Sequence, residues 1–583
     1  MRQFIYLFLL LFVINSFSQG QANNWFFGEN AGLDFNSGSP VPINNSRIYT
    51  REGCSSFSDS SGDLLFYSDG STVWNRDHDI MPNGQGMEGS NSSSQSAMII
   101  PRPGNTTEYY IFTVGSAVGS DQLGFFYYTI DMTADGGLGD VVTVANNLMQ
   151  GVNRNTWTEK VAAVKGNECQ TFWAISYTNG TNEFFAYKIT TSGVESSPVR
   201  SNVSFSANDV RGYLKISPDG KKLAIAHMSD RAILLYDFDD VTGIVSNQRY
   251  LTLPATSSND VFSANRPYGL EFSANSEKLY AHASNDYYNN DGSNNNPINH
   301  FSALYQFDIS LPTLTQINSS RVAIDGANNS RNLYRGALQL GPDKKIYRAL
   351  SESYNNGFAF LGVIESPEED GLAANYQHAS IDLGGKKSSQ GLPPFISSIF
   401  SQIEITSTDS SGQTNIINDL DVNLCVGDDF TTLSQLLPGT PIYKWFKDNS
   451  TTPFSNDPNI SFTNVNASIN GLYSVIVEST DICGVVSTLD GEFTIEVYDA
   501  PIATQPMDLT LCDDDNNGVM AFDLSSQDGF INSASGMSIS YHLSQLDADT
   551  GAASNPLSSP YESGIDTIYV RLENNGNTDC YDT

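Results

Sequence analysis

The sequence predicts an all-β protein that begins with a β-propeller, and three observations carry this prediction. One hairpin pattern recurs, in which an alternating strand, a polar turn and a second apolar strand follow one another. Its copies are Cys54–Leu64, Tyr213–Leu223, Gly269–Leu279 and Ala337–Ile346. No long stretch places apolar residues at helical spacing. Only 16% of the residues are charged, while Asn, Ser, Thr and Gly abound, which is typical of exported β-rich proteins.

The propeller is predicted to span residues 20–405, with WD-repeat-like blades of four strands. Candidate hairpins begin near Gly53, Gln95, Glu159, Gly212, Tyr268 and Gly336. These starts lie about 40 to 70 residues apart, which suits blades with long loops. Six blades are visible, and a seventh would combine Asn24–Phe27 with Phe395–Phe400. We favour seven blades over six, because that closure leaves no free sheet edge.

The N-terminus predicts export. Arg2 precedes the apolar run Phe4–Ile14, and the small residues Ser16 and Ser18 suit cleavage before Gln19. Residues 1–18 therefore form a signal peptide, too short for a membrane span. No second long apolar segment follows, so no transmembrane helix is expected. The mature protein is predicted to be secreted or held at the cell surface, on the exterior of the outer membrane.

The charge of the chain excludes one class of partner. The 583 residues include 65 acidic and 29 basic ones, which gives a net charge of −36. Nucleic-acid binding requires a basic face and is disfavoured. The acidity has two interpretations, namely solubility outside the cell or the binding of divalent cations by some of the aspartates.

Two further modules are expected after the propeller. Residues 406–417 form a polar linker, and residues 418–498 form an immunoglobulin-like β-sandwich. Trp445 resembles the buried tryptophan of such sandwiches, and Tyr473 resembles their corner tyrosine. Strict antibody topology is not implied, because Tyr473 precedes Cys483 by ten residues rather than two. Residues 500–583 form an acidic β module bracketed by cysteines.

Six cysteines in an exported chain permit disulfides. The last four fall as two local pairs, each enclosing one module. The predicted bridges are Cys425–Cys483 and Cys512–Cys580. Cys54 and Cys169 would lie in separate blades and are predicted to be unpaired.

The acidic turn Asp513–Gly518 is the best metal candidate. Asp513, Asp515 and Asn517 alternate before a glycine, as in the first half of a calcium loop. The twelfth position is Leu524 rather than Glu, although the adjacent Asp523 offers another ligand. The alternatives are a bound structural Ca²⁺ and a plain acidic turn; no other cofactor is indicated. The six histidines show no metal spacing and are expected to be packed residues.

No catalytic signature is recognisable, and the candidate ligand contacts are few. Arg76, Asp77 and His78 form the densest polar cluster near an aromatic residue, Trp74. Trp74 and Trp157 have flat apolar faces on which a sugar ring could stack. The alternative is that both tryptophans fill gaps between blades.

The chain resembles a known family over nearly its whole length, most specifically in residues 24–112. The resemblance lies in the segments Asn24–Phe35, Glu52–Ser55, Asp63–Gly70, Val73–Asn75, Ile80–Gly84 and Gln95–Ala97. They are similar to propeller-headed surface proteins exported by the type nine secretion system of gliding-motility bacteria. That resemblance implies a signal peptide, a propeller, immunoglobulin-like or PKD-like modules and a C-terminal sorting domain of type B. The chain has no such sorting domain, so we expect a truncated reading frame. The family brings no catalytic residues.

Together these features predict an exported, non-catalytic adhesin or surface-binding protein. Its propeller would bind an extracellular polysaccharide or protein, its sandwich modules would act as spacers, and the secretion machinery would be a partner. The alternative is a polysaccharide hydrolase or lyase that uses axial carboxylates, because residues from different blades converge at the axis of a propeller. A third possibility is a surface-layer component without a discrete ligand.

Overall fold

A computed structural model describes residues 20–583 except 117–123, 143–144, 255–263, 288–292, 327–330, 409–413, 436, 438, 449, 481–485, 533 and 552–555. The chain forms two compact units. The first comprises residues up to 402 together with 480–489, and the second comprises residues 403–479 and 490–583. The predicted signal peptide, residues 1–18, lies outside the described residues, as does Cys483. The described part contains no helix long and apolar enough to cross a membrane.

Seven antiparallel sheets follow one another in the first unit and form seven blades. Blade 1 contains β1 (Asn24–Phe27), β2 (Ala31–Asp34) and β3 (Val41–Pro42). Blade 2 contains β4 (Ser55–Ser58), β5 (Leu64–Ser68), β6 (Thr72–Asn75) and β7 (Ile80–Gln85). Blade 3 contains β8 (Ala97–Pro101), β9 (Glu108–Val114), β10 (Phe125–Asp131), β11 (Asp140–Val141) and β12 (Asn146–Asn147). Blade 4 contains β13 (Trp157–Lys165), β14 (Phe172–Thr178), β15 (Glu183–Thr190), β16 (Gly193–Val194) and β17 (Val199–Asn202).

The remaining three blades have four strands each. Blade 5 contains β18 (Leu214–Ile216), β19 (Lys222–His227), β20 (Ala232–Phe238) and β21 (Val245–Leu251). Blade 6 contains β22 (Arg266–Phe272), β23 (Lys278–Ser284), β24 (Ser302–Asp308) and β25 (Val322–Asp325), with the short helix α1 (Leu314–Ser319) before its last strand. Blade 7 contains β26 (Leu338–Leu340), β27 (Ile346–Arg348), β28 (Phe360–Ile364) and β29 (Tyr376–Asp382).

The recurring hairpin is the first strand pair of a blade, so the prediction of a seven-bladed propeller is confirmed. The four copies correspond to β4–β5, β18–β19, β22–β23 and β26–β27. The first strand of each blade contacts the first strand of the next, from β1 through β26, and these are the inner strands. Blade 1 closes on blade 7 through Trp25 and Tyr347, whose rings lie 5.4 Å apart, and through the hydrogen bond from Glu29 N to Lys387 O at 2.8 Å.

The closing blade, predicted as the seventh and here numbered blade 1, differs from the prediction in one part. All three strands of blade 1 come from the N-terminal side, because β1 turns directly into β2 and β3. Residues Phe395–Phe400 add no strand, and Ser397–Phe400 form a short 3₁₀ helix. Their apolar side chains still contribute to closure, since the Phe395 ring lies 5.9 Å from that of Trp25. The apolar pattern indicated burial correctly, but burial alone does not distinguish a strand from a packed turn.

Two four-stranded sheets form the β-sandwich of the second unit. One runs in the order β31 (Thr414–Ile416), β30 (Ile405–Thr408), β33 (Phe430–Ser434) and β35 (Ser461–Phe462). The other runs in the order β32 (Asp421–Cys425), β37 (Val486–Tyr498), β36 (Gly471–Thr480) and β34 (Ile442–Lys447). The fully buried Trp445 lies 6.2 Å from the Phe493 ring. The hydroxyl of Tyr473 donates to Ile469 O at 2.7 Å, which is the bond a corner tyrosine makes.

The structure revises the expected module boundaries. Strands β30 and β31 lie in or next to residues 406–417, the predicted linker, and they pair with each other. Strand β30 also pairs with β33, so this polar segment forms an edge of the sandwich. Exposed sheet edges carry polar side chains, which is why Ser and Thr there resembled a linker.

The C-terminal module is small and is tied to the sandwich. It pairs β38 (Met520–Phe522) with β40 (Tyr561–Ser563), and β41 (Tyr569–Asn574) with both β39 (Met537–His542) and β42 (Asn577–Asp582). Two short helices, α2 (Asp528–Ile531) and α3 (Gln545–Thr550), complete it. Leu524, Ile531 and Tyr541 form its core.

The predicted disulfide pairings are wrong. Cys425 at the end of β32 is bonded to Cys580 in β42, across 155 residues, with their Cα atoms 5.4 Å apart. The bridge therefore joins two modules, whereas the prediction assumed one closed loop in each. Cys512 is free and exposed, and Cys54 is free and buried, as predicted for Cys54. Cys169, predicted to be unpaired, is disulfide-bonded.

Candidate binding site at the propeller axis

The starting ends of the inner strands meet around the axis of the propeller. Backbone hydrogen bonds join neighbouring ends: Gln95 N to Glu159 O at 3.0 Å, Glu159 N to Val210 O at 3.0 Å, Tyr213 N to Tyr268 O at 2.9 Å, Ala337 N to Gln390 O at 2.8 Å, and Gln390 N to Arg51 O at 3.0 Å. The C-terminal segment around Gln390 thus links the starting ends of blades 7 and 2. These hydrogen bonds bring neighbouring backbones close together, which leaves little room for side chains. A glycine accordingly follows each of five residues there: Glu52, Arg211, Tyr268, Arg335 and Gln390.

Charged side chains at these ends form a group that we call the axial cluster. It consists of Glu52, Glu159, Lys160, Asp209, Arg211, Asp286 and Arg335. Six of the seven side chains are almost completely buried, and the side chain of Arg211 is 28% exposed. Burying so many ionisable groups is costly unless each is paired or hydrogen-bonded.

Arg335 is the centre of the axial cluster. Its Nη1 donates to Glu52 Oε1 at 2.8 Å, while Nη2 and Nε lie 2.8 and 2.9 Å from Asp286 Oδ1. The same Asp286 oxygen accepts a hydrogen bond from the Tyr334 hydroxyl at 2.9 Å. One guanidinium therefore bridges two carboxylates and lies between them. A planar guanidinium with five donors suits this role better than an ammonium.

Arg211 is held at the edge of the cluster by a carboxylate fork. Its Nε and Nη2 donate to Asp209 Oδ1 and Oδ2 at 2.9 and 3.1 Å. Its Nη1 has a looser contact, 3.9 Å from Asp286 Oδ2. A guanidinium that is fixed on one side and solvent-accessible on the other is prepared to bind a further acceptor.

Blade 4 supplies two further members of the axial cluster, Glu159 and Lys160. Glu159 Oε2 accepts from both Ser94 N and Ser94 Oγ at 3.1 Å, which joins blade 4 to blade 3. Lys160 Nζ donates to Val210 O at 2.9 Å. Ser94 Oγ also accepts from Gly212 N at 3.0 Å, so three blades meet at this serine.

Burial shifts several pKa values in the cluster. Desolvation raises the pKa of Glu52 to about 8, against the opposing charge of Arg335. Desolvation lowers the pKa of Lys160 to about 8, although nearby Asp209 and Glu159 raise it. Burial alone would raise the pKa of Asp209, but the charge of Arg211 and its hydrogen bonds lower it below the ordinary value. Burial of Glu52 in this crowded site is therefore the main reason that it retains a proton.

The axial cluster was not predicted from the sequence, although a signal was present. A polar or aromatic residue immediately before a glycine recurs at the start of inner strands: Glu52-Gly53, Arg211-Gly212, Tyr268-Gly269 and Arg335-Gly336. The repeat marked the hairpins, but it did not reveal that these positions from different blades converge.

The candidate ligand contacts predicted near Trp74 lie elsewhere, around the turn between β6 and β7. Trp74 is partly buried and stacks on Tyr67, with ring centroids 5.4 Å apart. Arg76 and Asp77 are exposed, and His78 Nδ1 lies 3.2 Å from the Tyr67 hydroxyl. The structure brings these four together on the outer strands of blade 2, away from the axial cluster.

Trp157 fills the space between blades, as the alternative interpretation held. Its side chain is fully buried. It stacks on Phe125 at 5.7 Å and donates from Nε1 to Ser176 Oγ at 2.9 Å. Trp157 therefore has no free face for a ligand, and its prediction as a binding residue is wrong.

The acidic turn is only partly satisfied by its own backbone, since Asp513 Oδ1 is buried and has no hydrogen-bond partner among the described residues. Asp513 Oδ2 accepts from Gly518 N at 2.8 Å, and Asp515 Oδ1 accepts from Asn517 N at 3.2 Å. Asp523 instead accepts from the hydroxyls of Ser525 and Ser559. Among the described residues, no group of three or more His, Cys, Asp or Glu is placed to hold a metal ion.

Two buried histidines have packing roles. His282 accepts from Arg348 Nε at 3.1 Å, and its Nε2 lies 3.0 Å from Tyr334 O. His227 stacks against Phe205 at 5.4 Å. Burial holds the pKa of both imidazoles well below the ordinary value, so both are neutral.

Comparison with known proteins identifies one module. Residues 508–583 match the family model of the Flavobacterium inter-domain disulphide bond domain. The bridge between Cys425 and Cys580, which joins the sandwich to this module, agrees with that description. A search of curated proteins finds no match to the chain.

Solved structures resemble the chain only at the level of the fold. The extracellular domain of a protein designated a one component system from B. thetaiotaomicron is 14% identical, with a TM-score of 0.33. The match covers 82% of this chain and 56% of that domain. The extracellular domain of a protein designated a hybrid two component system from the same organism is 11% identical, with a TM-score of 0.31. The match covers 82% of this chain and 55% of that domain. A protein designated a 6-phosphogluconolactonase from Bacteroides uniformis is 11% identical, with a TM-score of 0.36. The match covers 62% of this chain and 98% of that protein. The chain thus spans just over half the length of the first two, and identities this low say nothing about its ligand.

Proposed function

We propose that this protein is an exported, non-catalytic binding protein whose propeller holds a polysaccharide at the axial cluster. The observation that carries the proposal is the buried group of seven ionisable side chains, from which Arg211 alone reaches solvent substantially. The inner strands already bury apolar side chains between the blades, so this concentration of charged groups supports a role beyond packing. Concentrated, pre-oriented polar groups at the axis of a rigid scaffold are typical of a recognition site.

A glycan fits this end of the propeller better than a protein does. The groups that meet at the axis are guanidinium, carboxyl, hydroxyl and amide groups, which match the hydroxyls of a sugar chain. Protein interfaces are instead centred on exposed aromatic and aliphatic anchors. Binding of a protein and not of a glycan would contradict the proposal.

Export and attachment to the cell surface are part of the proposal. Its support is the apolar N-terminal segment, the disulfides and the module described for Flavobacterium. The finer proposal is secretion by the type nine system of gliding bacteria, with the sandwich and C-terminal modules as spacers of an adhesin. Fractionation of cells with and without a functional type nine system tests it. Retention of the protein in the periplasm without that system is the expected result.

Binding is tested with the full chain on arrays of bacterial and plant polysaccharides. The variant Arg211→Gln removes the exposed guanidinium, and we expect at least a tenfold loss of affinity for the polysaccharide that binds. The control is Arg200→Gln, because Arg200 is 43% exposed, also has a carboxylate partner, and lies on an outer strand of blade 4. Trp74→Ala in parallel tests the rim of blade 2. Equal affinity of Arg211→Gln and the wild type would refute an axial site.

The hydrolase alternative makes a different prediction. A glycosidase needs two carboxylates facing each other across the scissile bond. Glu52 and Asp286 both contact the intervening Arg335, so the space between them is filled. We therefore propose that bound polysaccharide is not cleaved. Reducing-end release from the bound polysaccharide, abolished by Glu52→Gln, would instead establish the enzyme.

A further inference from the structure

The C-terminal module contains an open groove, which we call the module groove. Residues 503–511 line one side of it and residues 563–570 line the other. Side chains of the module's interior, among them Met520, Phe522 and Tyr541, lie between the two sides. The volume of the groove is about 1070 Å³, whereas pockets for small molecules typically measure about 300–1,000 Å³. The groove is therefore large enough for a short peptide.

One side of the module groove has unused backbone groups. Residues 508–512 read Asp-Leu-Thr-Leu-Cys and belong to no helix, strand or turn. Within the part of the chain that the structure describes, their backbone makes no hydrogen bond. Leu509 packs against the core of the module, while the Leu511 side chain is 48% exposed. A segment of this kind can accept a further strand through its free N–H and C=O groups.

The other side of the module groove contains an open edge of β41. Strand β39 pairs with β41 from Tyr569 to Asn574. On the opposite edge, β42 pairs only with residues 572–574, so among the described residues Tyr569 and Val570 have no neighbour there. Thr583, which directly follows β42, also lines the groove. A strand in line with β42 would therefore lie in the groove and pair with the rest of β41.

The sandwich of the same unit shows this arrangement with the strand in place. Strand β32 reads Asp-Val-Asn-Leu-Cys, which matches the pattern of residues 508–512. In the sandwich, β37 lies between β32 and β36, and its residues 494–498 pair in parallel with β32. The antiparallel pair β34–β36 corresponds to the antiparallel pair β39–β41. By this correspondence, the module groove takes a strand between residues 508–512 and β41.

The side chains define the chemistry of such a strand. In β37, the buried Phe493, Ile495 and Val497 alternate with more exposed residues, so one face of the strand is apolar. The module groove is lined by three aspartates and, among the described residues, by no basic one. These aspartates are Asp508, Asp513 and Asp566, and Asp513 Oδ1 has no hydrogen-bond partner. Charge complementarity therefore favours basic residues at the alternate positions of the strand.

From these observations we infer that the module groove binds a β-strand of a partner protein in which apolar residues alternate with basic ones. The strand runs parallel to residues 508–512 and antiparallel to β41, and it binds by adding its backbone to both. The inference concerns the C-terminal module alone and does not rest on the function proposed for the propeller. It adds a protein partner to the polysaccharide proposed there.

The test uses the full chain and three fluorescent peptides with blocked termini. The first peptide copies residues 493–498 with Thr494→Lys and Glu496→Lys, and the second has Thr494→Glu instead and keeps Glu496. The third contains the residues of the first in an order that removes the alternation. Fluorescence anisotropy should show the first peptide binding about tenfold more tightly than either of the others. Failure of the first peptide to bind, or equal affinity for either of the others, would overturn the inference.

Two proline variants test whether backbone hydrogen bonds hold the peptide. In the sandwich, Val426 N donates to Tyr498 O at 2.9 Å, so the N–H groups of alternate residues of β32, including Leu424, face β37. Leu511 corresponds to Leu424, whereas the N–H of Thr510 faces away. Because proline has no N–H, Leu511→Pro should weaken binding of the first peptide about tenfold, while Thr510→Pro should have little effect. Equal losses of affinity in the two variants would contradict strand addition.

Hydrogen exchange of the unmodified chain gives a readout that does not depend on the folding of a variant. The first peptide should slow amide exchange in residues 508–512 and at Tyr569 and Val570, because their free backbone groups become bonded. Protection confined to other residues would overturn the inference. Self-association of the free chain that the first peptide disrupts would assign the groove to a second copy, and would also overturn it. Arg211→Gln should leave peptide affinity unchanged, which separates this binding from that of a polysaccharide.

Discussion

Gly391 lies against the backbone of Glu52, and a β-carbon on Gly391 would come within 1.6 Å of the Glu52 carbonyl oxygen. The contact joins the C-terminal segment of the propeller to the start of blade 2. It is reinforced by the hydrogen bond from Gln390 N to Arg51 O at 3.0 Å. The ring of blades is therefore closed by backbone contact as well as by side-chain packing.

Gly391→Ala should destabilise the propeller by about 3 kcal/mol or more, because backbone cannot yield as a flexible side chain can. Differential scanning calorimetry of the full chain should show a lower melting temperature for the propeller. The control is Gly529→Ala, since a β-carbon there meets nothing within 4 Å. An unchanged propeller transition in Gly391→Ala would mean that the C-terminal segment does not close the ring.

The disulfide between Cys425 and Cys580 should stabilise the second unit strongly. It closes a loop of 155 residues, for which chain entropy gives an upper value of about 5 kcal/mol. The double variant C425S/C580S should therefore lose about 2–5 kcal/mol in the unfolding of this unit. Cys512→Ser is the control, because Cys512 is free and exposed. Equal urea midpoints for C425S/C580S and the wild type would contradict the expectation.

The sequence predicted the propeller well because its hairpins are local. The four copies of the pattern fall on first and second strands, and all six proposed starts coincide with inner strands. Non-local features were less predictable. The partner of Cys425 lies 155 residues away, and spacing alone favours nearer cysteines.

The candidate site was hidden for a similar reason. Glu52 and Arg335 are 283 residues apart in sequence, yet their side chains are 2.8 Å apart at the axis. Trp157, by contrast, is conspicuous in the sequence because it is large and aromatic, but it is buried between blades. Residue type indicates what a side chain can do, whereas the closure of the ring decides which side chains meet.

Replacement of Arg335 should be severe because the Asp286 carboxylate would lose its counter-charge and the Glu52 carboxyl its hydrogen-bond donor. Arg335→Leu should cost about 3–5 kcal/mol, the usual effect of leaving a buried charge unpaired. Adding Asp286→Asn to Arg335→Leu should recover part of this loss, since the amide carries no charge. A double-mutant cycle measured by urea unfolding gives the coupling free energy. As a surface control, Arg200→Leu, whose partner is Glu183, should change stability by less than about 1 kcal/mol.

The raised pKa of Glu52 makes the stability of the propeller dependent on pH. The pKa is about 8 in the folded protein and 4.5 for an ordinary Glu, so the folded state holds the proton more tightly. The stabilisation that the folded state gains by holding this proton is complete below pH 4.5, decreases as pH rises, and is lost above about pH 8. Within this window the slope reaches about 1.4 kcal/mol per pH unit.

Glu52→Gln should abolish this pH dependence, because the amide resembles the protonated carboxyl in shape and cannot titrate. The unfolding free energy of Glu52→Gln relative to the wild type should therefore increase between pH 5 and pH 8, as measured by urea unfolding at each pH. Glu195→Gln, at an exposed position, controls for the loss of one negative charge. If Glu52→Gln and the wild type differ by a constant amount over this range, Glu52 is ionised in the folded protein and the charge balance of the axial cluster must be revised.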